Sequence, residues 1–159
     1  MEINQGRLYM EIRELTVEDL ESLLKLYVQL DEKNKDISLQ KSIDIWKAEI
    51  ENNKNIKYFG AVDNGQVVSS CYCLIIPNLT NFGQPICFIE NVVTDENYRK
   101  QGLAKKVIEK ALDVARANNC YKAILQSGIA RTEAHKFYEK LGFNGSSKKA
   151  FDLRLEYKN

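Results

Sequence analysis

The chain has few of the residues that make a metal centre or a disulfide scaffold. Its 159 residues include one histidine, His135, and four cysteines, Cys71, Cys73, Cys87 and Cys120, with no CxxC pair among them. Without a histidine cluster or paired cysteines, no metal site is expected. No secretory leader is expected either. The N-terminus reads "MEINQGRLYMEIREL", with acids where a secretory signal would be apolar. The cysteines are therefore expected to be reduced core thiols in a cytoplasmic protein. Long hydrophobic runs are absent: "CYCLII", Cys71 to Ile76, is far too short to span a bilayer, so no membrane partner is expected. Proline is scarce (Pro77 and Pro85), and there are no repeats, low-complexity tracts or linkers. A single domain over 1–159 follows as the expectation.

Net charge is nearly absent too, at +1, but it is unevenly spread. Residues 1–97 hold 9 Lys and Arg against 16 Asp and Glu, and residues 98–159 hold 14 against 6. A basic C-terminal part suits a phosphate-bearing partner, and an acidic N-terminal part suits a cationic one. The basic residues are not interleaved with exposed-looking aromatics, which argues against nucleic acid.

Periodicity places the elements. "YMEIREL" alternates as a first strand, and Thr16 with Asp19 resembles a capping box at the start of a helix striped by Val17, Leu20, Leu24, Tyr27 and Val28. "DEKNKD" is a polar loop. Ser38 caps a second helix, striped by Leu39, Ile43, Trp46 and Ile50. "IKYFGAV" and "QVVSSCYCLII" flank Asp63-Asn64-Gly65, a strong hairpin turn. After the Pro77–Pro85 loop, "ICFIENVV" is nearly continuous and reads as a strand buried on both faces, interrupted only by Glu90 and Asn91. A helix striped by Leu103, Val107, Ile108, Ala111, Leu112 and Ala115 follows, then the strand "YKAILQS"; together they make a βαβ unit with parallel strands. "ARTEAHKFYEKLGF" is a last helix with Gly142 at its C′ position. "KAFDLRLEY" alternates cleanly and reads as a final strand. The fold class expected is a mixed, mostly antiparallel α/β (α+β) sheet with helices on both faces and one parallel βαβ unit.

Between the central strand and its helix lies "YRKQGLAKK", Tyr98 to Lys106. A glycine and small residues at a strand-to-helix turn let backbone N–H groups approach an anion such as a pyrophosphate. A plain helix start flanked by solvated lysines has the same local string. The wider pattern is more specific. Arg99, Lys100, Gln101, Gly102, Leu103 and Ala104 are followed, one βαβ crossover later, by "AHKFYEKLGF". In this order the two strings resemble the GNAT superfamily of acetyl-CoA-dependent N-acetyltransferases, over nearly the whole chain and most strongly from Ile89 to Phe143.

That resemblance implies an enzyme moving an acetyl group from acetyl-CoA to a primary amine by direct attack in a ternary complex, with CoA as product. It places the pyrophosphate on backbone N–H groups from about Gln101 to Lys105, through Gly102, Leu103 and Ala104, with Arg99 and Lys100 in the same cofactor-binding set. It places the thioester and pantetheine along Val92, Val93 and Thr94, where the family's strand bulges away from its parallel neighbour. Phe137 and Arg131 join the cofactor-binding set. Arg131 stands where many relatives carry an asparagine, so the asparagine contact does not transfer. Tyr138 resembles the family's proton donor to the departing thiolate, a phenol of pKa ~10 against a thiol of ~8.5. Glu90, the single acid within a buried-looking strand, is the candidate base, ahead of His135. The acceptor expected is a small-molecule amine. The acidic half suggests a cationic one, and Lys148 and Lys149 suggest one bearing an acid or phosphonate. A protein or peptide acetyltransferase and a non-catalytic acyl-CoA-binding module are the alternatives. The family's habit of pairing through sheet edges or C-terminal strands implies a possible homodimer.

Overall fold

Alternating side chains build the first element: Met10–Glu14 forms strand β1. A computed structural model describes residues 10–155. Tyr9, the expected start of β1, and Glu156 and Tyr157 of the expected last strand lie outside that range. Cα packing divides the chain into two compact units, Met1–Leu125 and Gln126–Asn159.

In the first unit, Thr16 and Asp19 form the expected capping box, and a short 3-10 turn leads into helix α1, Leu20–Tyr27. The "DEKNKD" stretch, expected as loop, coils into a 3-10 turn over Glu32–Asp36. Ser38 accepts from Lys41 N–H at 3.2 Å and starts helix α2, Leu39–Ile45. From Trp46 to Ile50 the helix widens into a π-turn. Of the expected α2 stripe Trp46 is buried and Ile43 and Ile50 pack partly buried against the core, while Leu39, the first residue of the helix, is exposed.

Strands β2, Ile56–Asp63, and β3, Gln66–Ile76, form the expected hairpin. Strand β4, Ile86–Thr94, follows the proline-bounded loop. Helix α3, Leu103–Ala117, then crosses to strand β5, Lys122–Leu125, which lies parallel to β4. The sheet order is β1-β2-β3-β4-β5, antiparallel except for that last pair. Leu23 and Leu26 of α1 and Trp46 pack with Val62, Val67 and Val93 on one face. On the other face α3 sets Val107 against Cys71, whose thiol lies 3.7 Å from the Val107 carbonyl. β4 is not buried on both faces as expected. Cys87 and Ile89 are buried while Phe88 and Glu90 are only half-buried, so one face of this strand stays partly open. Among the described residues no helix is long and apolar enough to cross a membrane.

The second unit contains helix α4, Thr132–Lys140, with Gly142 (φ +96°) ending it as expected. The expected final strand is not formed: residues 151–155 carry no regular structure, and Phe151, Leu153 and Leu155 are exposed.

Candidate active site

The two edges of β4 separate after Ile89. On the β5 side, register runs only from Ile86↔Lys122 to Ile89↔Leu125. Beyond it, Glu90–Thr94 has no partner strand on that edge among the described residues. On the β3 side the strand stays paired but carries one extra residue. Tyr72 faces Glu90, whereas Ser70 faces Val93. Asn91, at φ +52°, takes up the surplus, and such a bulge bends a strand and re-aims its groups. Asp95 N–H donates to Val68 O of β3 at 2.8 Å. By alternation, the backbone groups of Thr94 and Val92 turn to the open edge. Arg99 Nε satisfies the Thr94 carbonyl at 3.3 Å.

The loop after β4 is tied down. Gln29, in the turn just after α1, donates to Asp95 at 2.9 Å and accepts from Glu96 N–H at 3.0 Å. Tyr98 donates to Asp63 at 2.7 Å, which fixes the loop to the end of β2. Lys100 and Gly102 then take left-handed conformations, φ +62° and +76°. A Cβ on Gly102 would meet no protein atom within 4 Å, so within the chain it is the dihedral that calls for glycine. The first intrahelical bond of α3 runs from Lys106 N–H to Gly102 O at 3.2 Å. The preceding N–H groups, including those of Leu103, Ala104 and Lys105, have no side-chain cap, and the first turn contains no acid. Arg99, Lys100, Gln101 and Lys105 are exposed around it. Free N–H donors and a positive dipole end with basic neighbours fit a pyrophosphate. Val93 differs from its neighbours: its side chain is buried in the core and its carbonyl accepts from Ser69 Oγ at 3.2 Å. Thr94 Oγ1 also meets Ser69 Oγ, at 2.8 Å.

Glu90 is half-buried at the mouth of the open edge. Beside it run aromatic rings that sequence reading did not single out. Tyr72 stacks on Tyr58 with centroids 4.8 Å apart, and Tyr58 lies 5.0 Å from Trp46. Burial foremost, then the Glu90 charge, raises the Tyr72 phenol's pKa. Burial, then Tyr72, pushes Tyr58 up to about 12. Tyr27 is shifted upward by burial and by Tyr58, with Asn91 of the bulge opposing. All three phenols remain neutral near pH 7; Tyr72, paired with Glu90, and Tyr58 stacked on it form the polar aromatic surface beside that carboxylate, while the Tyr27 hydroxyl is buried. Cys71 and Cys87 are poor nucleophiles: burial, then Cys87, pushes Cys71 up to about 12, and a hydrogen bond with Cys73 followed by burial raises Cys87.

In the second unit Tyr138 is 8% exposed, beside Phe137 (5.2 Å, tilted) and edge-on to Phe143 (6.2 Å). Arg131 occupies the N-cap position of α4 and is exposed. His135 Nε2 is 2.9 Å from the Gly128 carbonyl, a local bond at the start of the helix.

Comparison with known proteins agrees with this geometry. The model of the acetyltransferase (GNAT) family matches residues 15–143, a stretch that runs through both units. Glucosamine 6-phosphate N-acetyltransferase of Trypanosoma brucei brucei is 36% identical over 100 residues, covering 63% of this chain and 64% of that protein. The Arabidopsis thaliana protein of the same name is 41% identical over 59 residues, 37% of this chain and 38% of that one. The alignments thus span less than two thirds of these curated relatives. A solved structure described as an acetyltransferase, from Agrobacterium tumefaciens str. C58, superposes with a TM-score of 0.84 at 34% identity, covering 91% of this chain and 99% of that one.

Proposed function

The chain belongs to the acetyltransferase (GNAT) family, and from that premise we propose that it transfers an acetyl group from acetyl-CoA to the primary amine of a small molecule, by direct attack in a ternary complex. The observation that carries the proposal is the parting of β4 from β5 after Ile89, with the uncapped start of α3 at the end of the loop that follows. A strand edge with free backbone groups and a helix start with free N–H donors are what a pantetheine arm and a pyrophosphate require.

Acetyl-CoA, when bound, supplies an activated thioester. The α3 N-terminus, from Gln101 to Lys105, holds its pyrophosphate, and Arg99, Lys100 and Arg131 add positive charge. The Val92 backbone N–H polarises the reacting carbonyl, and Thr94 aligns the arm. Phe137 contributes apolar surface to the same binding set. Glu90 accepts the amine's proton, directly or through a water. Tyr138 donates a proton to the departing sulfur. The aromatic rings of Tyr58 and Tyr72 beside a carboxylate suit an acceptor that arrives as an ammonium ion. Relatives named for glucosamine 6-phosphate make an amino-sugar phosphate the first acceptor to try. Four unpaired cysteines suit a reducing compartment, so we place the enzyme in the cytoplasm. Self-association of the chain is part of the same proposal.

The test is thiol release from acetyl-CoA against glucosamine 6-phosphate, polyamines, aminoglycosides, aminophosphonates and lysine peptides, with an acceptor-free control. Saturable release with one small-amine class is the expected result. Release with peptides alone, or with nothing, defeats it. Tyr138→Phe is expected to lower turnover about 10²–10⁴-fold while acetyl-CoA affinity is kept; unchanged turnover removes Tyr138 from the chemistry.

A further inference from the structure

The stretch from Asp95 to Gly102 joins the open half of β4 to the start of α3, and none of its residues is fully buried. With no buried side chain to anchor it, its place depends on hydrogen bonds. Asp95 makes the first of them. Its Oδ1 accepts from Asn97 N–H at 2.9 Å and starts the 3-10 turn Glu96–Tyr98. Its Oδ2 accepts from Gln29 Nε2 at 2.9 Å, and Gln29 Oε1 accepts from Glu96 N–H at 3.0 Å. One carboxamide therefore grips two consecutive residues with both of its ends, 66 positions away from Asp95 in sequence. Tyr98, bonded to Asp63, is a second tie, to the end of β2.

Gln29 grips from a firm base. Leu23 and Leu26 of α1 are buried in the core. Gln29 N–H donates to Leu26 O and Leu30 N–H to Tyr27 O, each at 3.0 Å, and Asn34 Nδ2 donates to Tyr27 O at 2.8 Å. Two residues before Gln29, the Tyr27 phenol is near enough to Asn91 for that carboxamide to oppose the upward shift of its pKa. The end of α1 and the turn after it thus reach both the bulge of β4 and the loop beyond. Support is thinnest at the bulge, where Asn91 and Val92 stand opposite no residue of β3 or of β5. A loop tied at Gln29 and at Tyr98 is held by two separate elements, and a single tie would leave it a pivot. Lys100 and Gly102, both left-handed, follow, so a rotation at Asp95 swings the Gln101 and Gly102 N–H groups that lead into α3.

We propose that Gln29 is a positioning residue for the acetyl transfer. Its carboxamide, bonded to Asp95 and Glu96, holds the loop so that the N–H groups entering α3 stand where the pyrophosphate is gripped. The role rests on the pyrophosphate cradle proposed above and assigns that cradle a support from outside its own loop. Gln29 is exposed, so water competes for its bonds and removing them costs the fold little. Their effect falls on where the loop rests, and a small displacement of a binding group weakens its hold steeply.

Titration calorimetry with acetyl-CoA, urea unfolding and hydrogen exchange on the full chain test the role. Gln29→Ala is expected to raise the acetyl-CoA dissociation constant about tenfold, the scale of a lost hydrogen bond to a charged group, with the urea midpoint unchanged. In the unliganded chain, exchange should quicken over 95–102 and nowhere else. Gln29→Glu keeps an acceptor for the Glu96 N–H but sets a carboxylate against Asp95, and is expected to weaken binding at least as much. Adding Asp95→Asn returns a donor to that contact and the original net charge, and is expected to restore affinity. The neutral Ala variant separates geometry from charge. An unaltered chain that does not bind acetyl-CoA overturns the cradle and this role together. Unchanged affinity in Gln29→Ala, where the unaltered chain binds, overturns the role alone. So does weakened binding that tracks a lowered urea midpoint without local exchange, the mark of a merely structural contact. Failure of the double variant to regain affinity overturns the bonding pattern.

Discussion

The two halves of β4 are built for different purposes. Over Ile86–Ile89 both edges are hydrogen-bonded, and Cys87 and Ile89 are 0% and 1% exposed. Over Glu90–Thr94 one edge is free, the strand bulges at Asn91, and only Val93 is buried. The closed half anchors the parallel βαβ unit and so fixes where α3 begins. The open half leaves backbone donors and one carboxylate available. Unsatisfied backbone groups are costly in a core, so they persist here because the half before them is over-determined. Rigidity and chemistry thus sit in adjacent residues of one strand.

The comparison breaks most severely in the closed half. Ile89→Ala removes a fully buried side chain from the sheet's centre. A loss of about 2–5 kcal/mol is expected in urea unfolding, with acetyl-CoA affinity kept in the molecules that remain folded. A variant of normal stability would mean that the closed half does not carry the fold. Gly102→Val at the far end of the open half should do the reverse. Its cost in stability is about 1–2 kcal/mol, set by the left-handed dihedral rather than by crowding. Titration calorimetry should show acetyl-CoA binding lost, since a branched Cβ stands beside the free N–H groups. Retained affinity would separate the loop from cofactor binding.

Much of this was legible before any coordinates. The Asn64-Gly65 turn, the βαβ unit and the glycine before α3 each depend on a few neighbouring residues, and each stands where the pattern puts it. The aromatic row beside Glu90 was not legible. The hairpin turn alone pairs Val62 with Val67, and continued without interruption it would set Tyr58 against Cys71; a bulge shifts the register so that Tyr58 meets Tyr72. A second bulge, at Asn91, decides which residues of β4 face the open edge. Bulges are set by packing across the sheet, and nothing local in "QVVSS" or "IENVV" marks them. The C-terminal alternation reads as a strand, but residues 151–155 form none, because alternation sets the faces of an extended segment without supplying a strand for it to pair with.

The smallest expected effect lies at the opposite end of the sheet, where β1 turns into α1. Asp19 is 7% exposed. Both of its carboxylate oxygens accept from the Arg13 guanidinium at 2.8 Å, and Thr16 N–H adds a third bond at 2.8 Å. The Arg13 hydrogen bond foremost, helped by Thr16 and opposed by burial, holds its carboxyl below the ordinary aspartate value. A carboxylate depressed in the folded state stabilises above its unfolded pKa, near 3.9, and that contribution fades as pH falls through the folded value. Asp19→Asn should therefore cost about 1 kcal/mol at pH 7, the scale of a lost cap. The deficit should shrink below about pH 4, where the unaltered chain loses the same interaction. Acetyl-CoA affinity at pH 7 should be unchanged, since this contact lies far along the sheet order from the open half of β4. A deficit that stays constant into acid would show that Asp19 acts through packing instead of charge.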